Sequence, residues 1–142
     1  MIDGKAITLL NVYVANVDDK QFYDRIQDLL EDSAGTPVVW AGDFNCLLDG
    51  DAVRHPPKQG AEPLMTSSLA VVMRNLGFRD TWRDMHPDGC KFTCLTHNTY
   101  SRLDRIPVGG LDIQKLVGVK HLGWFRSEHV PLLLTLQWGT DE

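Results

Sequence analysis

VVWAGDFNCLLDG, residues 38–50, carries four apolar residues and a glycine straight into Asp43, Phe44 and Asn45. The apolar part reads as a buried strand, because β-branched and aromatic residues suit a covered, pleated surface. Its end is the unusual part, since residues i and i+2 of a strand share a face. A carboxylate and a carboxamide side by side either cap a local turn, as Asp and Asn often do, or are delivered to a site.

Working outward, KAITLLNVYV (residues 5–14) predicts a strand covered on both faces. Between the two strands the spacing predicts a helix from about Asp19 to Ser33. Asp18 and Gln21 form a candidate capping box there, and Phe22, Ile26, Leu29 and Leu30 fall on one face. AGTP ends it. Gly50, Pro56, Pro57, Gly60 and Pro63 make residues 46–63 an irregular loop. A second helix is predicted from about Thr66 to Leu76, with Leu69, Val72, Met73 and Leu76 on its inner face and Gly77 at C′. KFTCLTH, SRLDRIPV, KLVGVKHL and VPLLLTLQW then read as short strands. The fold class that follows is α/β (α+β), a mixed β-sheet with helices packed on one face. No repeat or linker divides the chain, so residues 1–142 read as a single domain able to bury about 68–70% of its unfolded surface.

Composition narrows the function. A hydrophobic fraction of 43% and a charged fraction of 23% are ordinary for a globular domain. The apolar runs are strand-sized and Met1 is followed by Asp3 and Lys5, so neither a membrane span nor a signal peptide is read, and an intracellular location, nuclear or cytoplasmic, is expected. Three cysteines argue for reduced thiols rather than a disulfide framework. A net charge of −5 disfavours wrapping nucleic acid on a broad basic surface. An enzyme that grips phosphate through a divalent cation remains open.

The polar residues that look out of place stand at strand ends: Asn11, Tyr13, Asp43, Asn45, Asp104, Glu128 and His129. Strand ends at one edge of a sheet are where such proteins assemble sites from distant segments. Carboxylates with one histidine and one asparagine, and no serine or cysteine in an elbow, suit hydrolysis by a metal- or base-activated water.

NVYVAN, AGDFN, SRLDRI and SEHVPLLLTL, in this order, with LGFRDTWRDMHPD and FTC between them, resemble the endonuclease/exonuclease/phosphatase superfamily. Within it they are most similar to the apurinic-like endonuclease domain of non-LTR retrotransposons. The resemblance implies a DNase I-like layered sandwich and metal-dependent phosphodiester hydrolysis, with nucleic acid, DNA first, as the partner. It also implies roles. Tyr13 and Asn16 would contact the scissile phosphate, with Ser101 and Arg102 beside it. Asp43 would position or deprotonate the attacking water, and Asn45 would steady nucleophile and phosphate. His129 would face the phosphate and Asp104 would orient it. Glu128, with Asp43, would associate with Mg²⁺ or Mn²⁺.

Three departures qualify these roles. The resembled family has a first half, with a metal-binding glutamate, that has no counterpart before ITLLNVYVAN, so a domain truncated on its N-terminal side, with weak metal occupancy and weak or lost activity, is expected. Ala15 replaces a usual proline, and Glu128 replaces the usual aspartate of SDH. An uncovered apolar sheet face should follow, and with it either a homodimer or poor solubility.

Plainer readings compete. In these, Asp43 and Asn45 only cap a turn, Asp104 pairs with Arg102 and Arg105 at the surface, Tyr13 is core, and His129 is structural. A non-catalytic interaction module or relic keeping the fold is one alternative. A zinc-binding module on His86, Cys90, Cys94 and His97 is another, although this spacing departs from the usual paired forms.

Overall fold

The computed structural model describes residues 6–33, 35–48, 54–55, 67–96, 98–124 and 126–137. In chain order the elements are β1 (Thr8–Tyr13), α1 (Lys20–Glu31), β2 (Val38–Asp43), β3 (Arg54–His55), α2 (Ser67–Asn75), β4 (Arg79–Asp80) and α3 (Thr81–Met85). There follow β5 (Cys94–Thr96), β6 (Thr99–Ser101), β7 (Asp104–Arg105), β8 (Pro107–Gly109), a 3₁₀ turn (Ile113–Lys115), β9 (Leu116–His121) and β10 (Leu132–Leu136). The main sheet runs β1-β2-β8-β4, and β7 shares the edge of β2 with β8. β1 and β2 are parallel and the other pairings are antiparallel, giving the expected mixed sheet. Two smaller sheets, β9 with β10 and β3-β6-β5, complete it.

Alternation along β2 divides the interior. Val38 and Trp40 point to the side of α1 and α2, where they meet Tyr23, Leu30, Leu69 and Val72. Trp40 sits 5.0 Å from Phe44 and 5.8 Å from Phe78, ring to ring, both edge-on. Val39 faces the other way and joins Ile106 and Val108 under Leu132, Leu134 and Leu136 of β10. Helices therefore cover one face, and the β9–β10 hairpin covers part of the other.

The helices form close to where the pattern puts them, with instructive shifts. Asp19, not Asp18, caps α1: its backbone is extended and its carboxylate accepts from the Phe22 N–H at 3.0 Å. Leu29, expected on the buried face, is 55% exposed. At 100° per residue Tyr23 and Leu30 nearly coincide and define the inward direction, which leaves Leu29 roughly 110° away. α2 ends as expected at Gly77 (φ +66), where Phe78 N–H donates to Met73 O and Gly77 N–H to Arg74 O, closing a Schellman motif. Thr66, the expected start of this helix, lies outside the described residues, as does most of the expected 46–63 loop. Within that loop Arg54–His55 pairs with β6, which corrects the reading of it as wholly irregular.

β1 corrects a second expectation. It is covered on one face only: Leu10 and Val12 pack toward the helices, while Leu9 is 73% exposed and Tyr13 78%. Among the described residues β2 is its one strand neighbour in the sheet, and the β10 leucines gather over Val39, Ile106 and Val108 instead. The near-continuous apolar run cannot reveal that its outer face meets a cleft.

Candidate active site

Strand register brings three of the predicted residues onto one rung. Tyr13 is the partner of Asp43 across β1 and β2, and Asp43 is the partner of Asp104 across β2 and β7. Residues paired in register point to the same face, here the one that the hairpin leaves open. His129 enters from the loop before β10 and closes over the rung. Its Nδ1 lies 2.9 Å from Asp104 Oδ2 and its Nε2 lies 3.9 Å from Asp43 Oδ2. A cleft of about 540 Å³ opens over the four, lined also by Asn11 and Ser127.

The end of β2 is built for this delivery. Gly42 sits at φ +153, and a Cβ there would stand 1.9 Å from the Val12 carbonyl oxygen, so only glycine lets β1 lie this close beside the carboxylate. Asn45 is left-handed (φ 47), a conformation that asparagine tolerates. Its backbone N–H donates to Asp43 Oδ1 at 2.9 Å, and its Nδ2 donates to Val14 O at 2.7 Å. Asp43 and Asn45 thus do cap the turn after β2, and Asp43 lines the cleft as well. The asparagine pins the carboxylate and ties the ends of β1 and β2 together.

Thr93, which the sequence did not single out by itself, organises the other half. It is fully buried, and its Oγ1 accepts from the backbone N–H groups of Leu103 at 3.0 Å and Asp104 at 2.9 Å. Its carbonyl accepts from Val130 N–H at 2.7 Å, next to the bridge that pairs Cys94 with His129. One residue therefore holds the backbone under Asp104 and beside His129. The only sequence signal was its place in FTC.

Several expectations are corrected by burial. Arg102 is 1% exposed, with its guanidinium 2.5 Å from Asp80 and 5.0 Å from the Trp82 ring centroid, so it supports the fold instead of facing substrate. Arg105 turns to the same carboxylate at 3.6 Å. Asp80 draws both arginines inward because it also caps α3, accepting from Arg83 N–H. Asp104 is consequently not in a surface pair with either, and Tyr13 is not core. Ser101 is buried, with its hydroxyl against the Cys94 thiol, away from the cleft. Asn16 is exposed in the bend after β1, outside the cleft lining. Glu128 is exposed, and its backbone carbonyl accepts from Leu95 N–H.

The electrostatics follow the geometry. Burial pushes the Asp43 carboxyl above its ordinary pKa; the Asn45 N–H pulls it back and the neighbouring Asp104 charge pushes it up again. Burial alone would hold the His129 imidazole down, but the hydrogen bond to Asp104 and the charges of Asp104, Asp43 and Glu128 outweigh it, so its pKa stands above the usual histidine value. A carboxylate only accepts, so His129 presents Nδ1–H to Asp104 and turns Nε2 toward the cleft.

Asp43, Asp104 and His129 each offer a ligand atom within 4.8 Å of the others. Carboxylate oxygens suit a hard divalent cation, and Asp43's raised pKa reflects, after burial, a repulsion from Asp104 that a cation would relieve. The donor set therefore fits such an ion through its oxygens, with His129 Nδ1 already engaged by Asp104. The zinc arrangement finds no such support: the His86 ring lies stacked on Trp82, centroids 5.0 Å apart. Cys94 is buried with its thiol pKa pushed up by burial, then by Asp104 and Asp43. His97 lies outside the described residues.

Residues 6–138 match the Endonuclease/Exonuclease/phosphatase family, and the chain belongs to it. Its fold is similar to that of a 3′ phosphatase, NExo, from Neisseria bound to a product DNA hairpin (TM-score 0.77, 21% identity, 92% of this chain and 61% of that one). It is also similar to an AP endonuclease from Archaeoglobus fulgidus (TM-score 0.73, 20% identity, 92% and 61%). A third is the AP endonuclease LMAP from Leishmania major (TM-score 0.78, 21% identity, 96% and 52%). The chain thus spans between half and two thirds of the length of these structures, and the expected DNase I-like architecture is the one it adopts. No helix among the described residues is long and apolar enough to cross a membrane.

Proposed function

We propose that this chain forms a metal-dependent phosphodiesterase centre acting on nucleic acid, DNA before RNA, in the manner of the retrotransposon endonuclease domains it resembles. The observation that carries the reading is the rung Tyr13–Asp43–Asp104 with His129 closed over it at the floor of an open cleft. Asp43, at the floor of the cleft beside His129, suits orienting an attacking water and accepting its proton. His129, held by Asp104 and favoured as imidazolium, turns its Nε2–H to a non-bridging phosphate oxygen, and the Tyr13 hydroxyl reaches the same space. Asn45 and Thr93 act through the groups they position. Mg²⁺ or Mn²⁺ held by Asp43 and Asp104, with Glu128 near the rim, would supply positive charge for the phosphate oxygens.

The open end of the same sheet face also supports a homodimer. Leu9 lies four residues along β1 from Tyr13, roughly 13 Å at strand rise, so a second copy seated there leaves the cleft accessible.

The test is hydrolysis of plasmid, abasic and single-stranded DNA with Mg²⁺ and with Mn²⁺. Asp43→Ala and His129→Ala should each lower the rate by about 10²–10⁴-fold. A wild-type chain that cleaves none of these substrates, or cleavage that survives both substitutions, overturns the proposal.

A further inference from the structure

The loop between β9 and β10 carries an aromatic side chain that the fold does not use. Trp124 is 63% exposed, and Leu122 beside it is also exposed. An indole of this exposure would ordinarily turn its N–H to water and move freely. Here the Nε1–H instead donates to the Ser127 carbonyl. The Ser127 hydroxyl in turn accepts from the His129 N–H at 3.0 Å, and Ser127 lines the cleft. Two hydrogen bonds through one residue therefore tie the indole to the backbone that carries His129. The loop's base is fastened as well, by Leu122 N–H donating to Pro131 O at 2.9 Å.

What such a ring could hold follows from charge. With a net charge of −5 the chain lacks the general cationic attraction that normally holds a nucleic-acid backbone. Beyond the reacting phosphate, grip must then come from contacts that need no positive charge, and stacking of a base on an aromatic face is the main one. The indole is well exposed, its polar atom is satisfied, and its position is tied to the backbone of His129.

We infer that Trp124 is a stacking platform for a nucleobase next to the scissile phosphate, making it a binding residue with preference for an unpaired or terminal base. Bases inside a duplex stack on each other and cannot offer a face, whereas single strands, ends and bulges can. This rests on the proposed phosphodiesterase reading for the identity of the ligand, but its test is binding rather than turnover.

Fluorescence anisotropy would compare a labelled single-stranded oligonucleotide with an abasic strand of the same length and phosphate count, in Ca²⁺ at fixed salt. Trp124→Ala should weaken binding to the base-bearing strand about 10-fold or more, with little change on the abasic strand. Trp124→Phe, which keeps a ring but no N–H, should retain most of the affinity. Equal losses on both strands, a Phe variant as weak as Ala, or no binding by the wild-type chain would each overturn the inference. Cleavage by wild-type protein with an unaffected Trp124→Ala variant would sink this inference alone. Base-dependent binding without any cleavage would instead sink the phosphodiesterase reading and leave the platform standing.

Discussion

Replacing Thr93 with valine exchanges one buried oxygen for a methyl group of similar size. That oxygen accepts from two backbone N–H groups, Leu103 and Asp104, at 3.0 and 2.9 Å. Valine offers neither an acceptor nor room for water. A buried donor left without its acceptor costs about 1–3 kcal/mol, so the pair costs roughly 2–6 kcal/mol, a large share of the about 5–15 kcal/mol that holds a domain together. At roughly 3 °C per kcal/mol for a chain of this size, Tm should fall by about 6 °C or more. Thr93→Ser separates the oxygen from the packing: it keeps the acceptor, loses a methyl group, and should cost only about 1 kcal/mol. Thermal and urea unfolding followed by circular dichroism measure both. If valine costs less than about 0.5 kcal/mol, or no more than serine, Thr93 does not hold the Asp104 backbone in the way argued. Where the valine variant still folds, its activity should fall further than its folded fraction, because the peptide under Asp104 is then free to shift.

Protonation of His129 should make stability pH-dependent in a defined direction. Its folded pKa is raised, chiefly against burial by the Asp104 hydrogen bond, so the contribution is fully present below the unfolded value near 6.5 and fades as pH rises through the higher folded value. The urea midpoint should carry a component that declines over that window and disappears in Asp104→Asn; an unchanged profile in that variant would remove the pair from the account. For the dimer, light scattering at tens of micromolar should give more than the monomer mass, and Leu9→Lys should return it to a monomer. A wild-type chain that is already a clean monomer counts against it.

The local signals in the chain were strong enough to determine most of the elements. The apolar run into Asp43, the helical spacing ending at Gly77 and the short strands after it are written in neighbouring residues, where propensity and period act directly. Tyr13, Asp43, Asp104 and His129 were likewise legible as polar residues at strand ends, and the resemblance put them in one site. What no local pattern holds is which partner each side chain meets. Arg102 and Arg105 flank Asp104 in sequence, yet both turn to Asp80, more than twenty residues away, because a half-buried carboxylate that already caps a helix is where two buried guanidinium groups can be neutralised. Thr93 looks like any strand threonine until the chain returns to set two N–H groups against its oxygen. The open outer face of β1 is decided by where the β9–β10 hairpin lands. Sequence fixes which groups can bond; only the packed chain decides which of them are brought within reach, since burial and long-range pairing are properties of the whole fold.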